Sequence, residues 1–313
     1  MPAGKDNLRF IVSPEEAAAW IASDLRNAEV LFPFLIGNDL TTRPDSSPSR
    51  WIIDFDGRSE VEAKRFPLPY NHALNRVKPQ RKRGSAAIQA APWWLYERPR
   101  PTMRKAIQNL DNVLALTITS KTVMPLITST DKVFGNTVDV FATASLADLA
   151  LLSSSLHQMW AIKYGYSMRK DPRYSPSDVF ETFPRPVMIE RLAVIGKTLN
   201  DERRAIMLRR ARGLTDLYKL VNDPGTINAD DSDVSLLREI HVELDRAVMD
   251  AYGWGDVPIE HGFHTYRQMM RWTVSPIARV EILDRLLEEN HRRAAAQGEA
   301  PPPVDAEDEG DDE

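Results

Sequence analysis

The sequence contains no cysteine, which excludes disulfides, thiolate zinc sites, iron–sulfur clusters and a cysteine nucleophile together. It also lacks any apolar run near the roughly 18 residues of a membrane span. Its start, MPAGKDNLRF, is polar and mixed in charge rather than signal-like, so a cytoplasmic protein without membrane partners is expected. No P-loop, Gly-rich dinucleotide fingerprint or Ser-His-Asp set is visible. Of the six histidines only His261 and His264 are closely spaced, with Glu260 beside them. That is too few ligands for a metal, and a turn between helices with a capping or packing His is expected.

Further absences concern methyl transfer. An AdoMet-dependent enzyme acting on an amino group needs a glycine-bearing strand-to-helix turn for the cofactor and an Asn/Asp-Pro-Pro-aromatic tetrapeptide for the amine. Neither occurs. Asp171-Pro172-Arg173-Tyr174 lacks the second proline, and adjacent prolines stand only at Pro301 to Pro303. No catalytic and no cofactor-binding residue is therefore assigned in this chain. One nuclease-like pattern is present, Pro44-Asp45 followed by Glu62-Ala63-Lys64. Its gap is unconstrained, so such fits arise often by chance in a charged chain, and solvated loop residues are expected.

What the chain does have is a lopsided charge. A net −5 becomes +3 once the eight acids of residues 299–313 are set aside. Residues 64–105 hold eleven Lys or Arg against the single acid Glu97. A solvated helix face is normally decorated by both signs, whereas so one-signed a run suits a phosphate-facing surface. Inside it lies Trp93-Trp94-Leu95-Tyr96-Glu97-Arg98-Pro99-Arg100. Aromatics beside arginines can stack on bases or brace the arginines; equally, Trp93 and Trp94 can anchor a loop to the core.

The chain's 313 residues suggest two packed units. Ser13-Pro14-Glu15-Glu16 signals a capped helix over 14–27. Apolar runs at 32–37 and 51–55 predict buried strands or tight turns, and β-branched runs at 113–118, 123–127 and 138–141 predict the strands of a small sheet. Helical spacing covers 146–164, then 187–212, 214–221, 234–252 and 276–296. The expected fold is α+β: a linker helix over 1–30, a mixed α/β unit with a small sheet over 31–186, a helical bundle over 187–296 and a disordered acidic tail over 297–313.

Several long strings resemble one known family. They are Phe34-Leu35-Ile36-Gly37-Asn38-Asp39-Leu40, Arg50-Trp51-Ile52-Ile53-Asp54-Phe55, the Trp93-Trp94-Leu95-Tyr96 block and DPRYSPSDVFETFPRP over 171–186. Together they resemble the target-recognition domain of MmeI-like DNA methyltransferases of type IIL and IIG restriction-modification, with related modules in phage-defence methylases. Residues 237–245 and Ala251-Tyr252-Gly253-Trp254 are similar to that family's C-terminal helical domain. The resemblance spans about 31–272. It implies sequence-specific binding of double-stranded DNA, with AdoMet and adenine-N6 methylation supplied by a methyltransferase domain or subunit missing from or separate from this chain.

On that basis Arg76, Lys78, Arg81, Lys82 and Arg83 are expected on phosphates. Arg50, Arg98, Arg100, Arg169, Lys170 and Arg173 are candidates for base edges, since Arg can bond O6 and N7 of guanine together. Arg50 could instead pair with Asp54 or Asp39, and Arg173 with Asp178 or Glu181. Two other functions stay open: a Mg²⁺-dependent nuclease using Asp45, Glu62 and Lys64, and a protein-interaction module of a defence complex.

Overall fold

A computed structural model describes residues 7–168, 171–187 and 190–298. Strand β1 (Ile11–Val12) leads into α1 (Pro14–Ser23). Ser13 Oγ accepts the Glu16 N–H at 3.1 Å and the Glu16 carboxylate accepts the Ser13 N–H at 3.0 Å, the reciprocal cap that the sequence signals. The helix stops at Ser23 rather than near 27, because Asp24 accepts the Arg26 N–H and starts a separate 3-10 turn, Leu25–Glu29.

Next come β2 (Leu31–Leu35), α2 (Gly37–Thr42) and β3 (Arg50–Ile53). Five short helices follow: α3 (Glu60–Ala63), α4 (Pro67–Arg76), α5 (Lys78–Arg81), α6 (Ala86–Ala90) and α7 (Pro101–Ile107). Then come β4 (Asn112–Thr117), β5 (Leu126–Ser129), β6 (Val133–Phe134) and β7 (Val138–Phe141). The strand expected at 123–127 thus begins only at Leu126. Val123 and Met124 are instead buried in two different clusters, and Pro125 has no N–H to offer a ladder.

The helix expected over 146–164 is two, α8 (Leu146–Ser153) and α9 (Ser155–Tyr164). Ser154 breaks it: its Oγ accepts the His157 N–H at 3.1 Å and caps the second helix. Strands β8 (Tyr166–Met168) and β9 (Asp171–Arg173) pair antiparallel. The C-terminal half holds α10 (Glu190–Arg209), α11 (Leu214–Val221), α12 (Ser232–Tyr252) and α13 (Pro276–Gln297), close to the expected bounds. The acidic segment 299–313 lies outside the described residues.

Between α12 and α13 the structure departs from the expected turn. Residues 261–274 form a hairpin, β10 (His261–Tyr266) and β11 (Met269–Val274), joined by Arg267 and Gln268. Both turn residues have positive φ, 43° and 64°. Tight hairpins usually reach that geometry with Asn-Gly, so the Arg-Gln pair gave no sign of it.

Sheet order is β1-β3-β2-β6, with β6 parallel to β2, and β5-β4-β7, antiparallel throughout. Strand β4 is buried on both faces. Val113 and Ala115 enter one apolar cluster with Leu217 and Leu237, while Leu114 and Leu116 enter another with Leu199, Leu244 and Ile282. The period-two alternation of a strand explains this division. Both clusters join residues from either side of 186. A third, built from Phe10, Ala17, Ile52, Phe66 and Val77, holds the N-terminal helix against the first sheet.

Candidate nucleic-acid interface

A cleft of about 920 Å³ opens over the first sheet. The β2–β3 register sets Phe34 opposite Arg50 and Phe32 opposite Ile52, and all four line its floor. One wall is made by Tyr96 to Arg100 and by Met103, Arg104 and Lys105 of α7; the other is made by residues 130–137. That second wall is fixed at Gly37, where a Cβ would come within 2.7 Å of Thr137 O and of Thr117 Cγ2. The close approach allows Gly37 N to donate to Thr137 Oγ1 at 2.9 Å and Thr117 Oγ1 to donate to Gly37 O at 3.1 Å.

The basic residues of the cleft differ in what they can do. Arg104 Nη2 donates to Asp54 Oδ2 at 2.5 Å, its Nη1 reaches Asp56 at 3.3 Å and its Nε donates to Pro99 O at 2.9 Å. It is a brace. Lys132 Nζ is engaged by Ser129 Oγ at 2.6 Å and Asp131 at 3.2 Å. Arg50 contacts only Ser49 Oγ, at 3.3 Å, among the described polar groups. Its supposed partners are taken, since Asp54 holds Arg104 and Asp39 accepts the Ser49 N–H. Arg98 is exposed. Arg100 sits at φ 52°, ψ 57° just before Pro101, a left-handed backbone that costs a non-glycine residue on the order of 1 kcal/mol. The kink turns the chain from the aromatic block into α7 and sets Arg100 on the cleft wall. Three arginines from two distant segments, Arg50, Arg98 and Arg100, therefore share one concave surface.

The aromatic block is an anchor. Tyr96 Oη donates to Ile53 O at 2.7 Å and Trp94 Nε1 donates to Arg58 O at 2.8 Å. Trp93 packs 5.5 Å from Tyr70 and carries the Lys78 ammonium 4.9 Å over its ring. Arg81 belongs with these residues and not with the phosphate set. It is 2% exposed and its Nη2 donates to Leu95 O at 2.8 Å. The sequence expectation for Arg81 is corrected: the fourth position of the short helix α5 turns inward, so this guanidinium supports the block from below. Arg76, Lys82 and Arg83 are exposed, and Lys78 is half-buried. None of these four lines the cleft.

Arg173, on β9, bridges Thr119, while Arg169 and Lys170 lie outside the described residues. Asp139 of β7 has no place among the sequence candidates. Its Oδ2 is buried without a described partner, and Arg100 and Arg173 are the charges that act on it. Burial outweighs their pull and pushes its carboxyl up to about 7. The available signal was an acid inside an apolar strand, Val138-Asp139-Val140-Phe141.

The nuclease-like set is occupied locally. Asp45 accepts from Ser47, Glu62 closes a capping box with Ser59, and Lys64 pairs with Glu60 3.6 Å away. His261 Nε2 lies 2.8 Å from Asp245 Oδ2, a packing role within the hairpin base.

Comparison with known proteins gives two results. The family model for the target recognition domain of MmeI matches residues 1–187. Among solved structures, the type IIL restriction-modification enzyme MmeI in complex with DNA has the same fold, with a TM-score of 0.61 at 21% identity over 94% of this chain. The chain spans 35% of that enzyme. No curated protein matches the sequence. On the match over residues 1–187, the chain belongs to the MmeI target recognition domain family.

Proposed function

We propose that this chain selects the DNA target of an adenine-N6 methyltransferase of the MmeI kind. A methyltransferase domain or subunit would bind AdoMet and act on an adenine turned out of the duplex. The observation that carries this role is the convergence of Arg50, Arg98 and Arg100 on one cleft in a chain of this family. Residues 31–186 form the recognition unit, 187–296 support it, 1–30 approach the methyltransferase and 297–313 form a tail. Arg76, Lys78, Lys82 and Arg83 bind phosphates beside the aromatic block. Arg50, Arg98, Arg100 and Arg173 read base edges, and Arg169 and Lys170 join them on sequence grounds alone. Phosphates give affinity and base edges give specificity.

Two variants test the division. Replacing Arg76, Lys78, Lys82 and Arg83 together by Ala should weaken every duplex alike and flatten the slope of log affinity against log salt by up to about 0.9 for each phosphate no longer neutralised. Replacing Arg100 alone by Ala should lower discrimination at one base position by roughly 1–3 kcal/mol and leave that slope nearly intact. A fourfold variant with unchanged affinity and slope sinks the phosphate assignment.

A further inference from the structure

Two arginines of the C-terminal half are buried where apolar side chains would be expected. On α10 the inward stripe runs Leu192, Gly196, Leu199, Arg203, Ile206, and Arg203 is 1% exposed. On β11, Arg271 is 4% exposed. Both reach across residue 186 to the loop joining β4 to β5. Arg203 Nη2 donates to Pro125 O at 2.7 Å and Arg271 Nη2 donates to Lys121 O. Arg271 Nε has no described partner, and burial lowers its guanidinium to about 10. A buried guanidinium held by a carbonyl loses hydration that no carboxylate returns. An apolar side chain would satisfy the packing at smaller cost, so stability gives no reason for a cation here.

Geometry does. The loop that Arg271 grips is also the one that holds β9. Ser120 N donates to Pro172 O at 3.3 Å, Tyr174 N donates to Ile118 O at 2.7 Å, and Thr119 bridges Arg173. At the other end of the hairpin, the turn residue Arg267 donates through Nη2 to Lys163 O at 3.3 Å. Two residues further on, at Gly165, an added Cβ would lie 3.1 Å from Arg173 O. The hairpin thus touches the flanks of β9 from two sides. It is itself rigidly seated: Trp272 N donates to Asn222 Oδ1 at 3.0 Å, and the Arg238 guanidinium covers the Phe263 and Trp272 rings at 4.7 and 5.5 Å.

We infer that the β10–β11 hairpin is a positioning device for DNA reading, in which Arg271, with Arg267, fixes the orientation of β9 and thereby of Arg173 against base edges. This rests on the proposed base-reading role of Arg173. The C-terminal half then contributes to specificity without touching DNA.

The test uses the full chain and a duplex library randomised through its centre, with the bound fraction sequenced. Arg173→Ala identifies the base position that Arg173 reads. Arg271→Met, which keeps length and loses the donors, should reduce preference at that same position about three- to tenfold, with affinity for a fixed nonspecific duplex within about twofold. Arg267→Ala, at an exposed turn, should show the same pattern more weakly and cannot unfold the core. In the free chain, Arg271→Met should speed amide exchange at Ser120 and Tyr174 about tenfold or more. An equal loss of affinity for all duplexes with preference intact, or unchanged exchange at these amides, overturns the inference. A parent chain with no base preference, or Arg173→Ala leaving it intact, overturns the reading role of Arg173 and the inference with it; the amide exchange, measured without DNA, tells the two failures apart.

Discussion

Within the basic segment, neighbouring residues of one residue type have opposite roles. Arg81 and Arg83 are two positions apart, yet one is buried under Leu95 and the other is exposed. Arg81→Ala should cost about 2–4 kcal/mol in urea unfolding, through the cavity and the unpaired carbonyl it leaves, while Arg83→Ala stays within about 0.5 kcal/mol. Charge counting could not separate them, because α5 is too short to show a period. Asp139 makes the complementary case. Its folded carboxyl is raised to about 7 by burial, so the folded chain binds a proton that the unfolded chain has already lost. Stability from this group should therefore fall as pH rises from about 4 to about 7 and level off above that. Asp139→Asn should remove the slope and raise stability at pH 8 by about 1–3 kcal/mol, read from unfolding curves at pH 5 and 8.

At the level of elements, the packing of α8 against α10 depends on Gly196. A Cβ there would stand 1.9 Å from Leu146 O, which is main chain and cannot swing aside. Gly196→Ala should destabilise by roughly 2–4 kcal/mol and show it as a lower midpoint with an unchanged denaturant slope. At this crossing α10 was legible in the sequence from its apolar stripe at helical spacing, whereas α8 and α9 read together as one helix because the Ser154 cap goes unrecognised. The β10–β11 hairpin was not legible. Its alternation is blurred by His261, His264 and Trp272, and its turn uses residues that no turn rule favours. The candidate cleft was half legible: the arginines stood out, but their convergence depends on the β2–β3 register and on the kink at Arg100, which only the folded chain reveals.

Across the whole molecule, burial ignores the proline-rich stretch that ends at Pro186. Leu114, Leu116 and Phe141 face Leu192, Leu199 and Leu244 within a single cluster, and Val113 and Val138 share another with Leu217 and Leu237. A chain ending at residue 187 should lose those partners. Expressed alone, it should bind a dye for exposed apolar surface and lack a cooperative melting transition; a sharp melt with no dye binding would show that the N-terminal half folds by itself.

The two-faced burial of β4 bears on how specificities can be exchanged among members of this family. A chimaera joined at residue 186 would marry each face of the strand to helices from a different parent, so every such exchange carries a mismatched interior along with its new reading surface. Grafts confined to residues 96–100, 130–133 and 135–137, which line the cleft and spare Phe134 of the β4 cluster, leave both faces with their native partners. Inheritance of target preference by short loop replacement is therefore structurally cheaper than inheritance by whole halves.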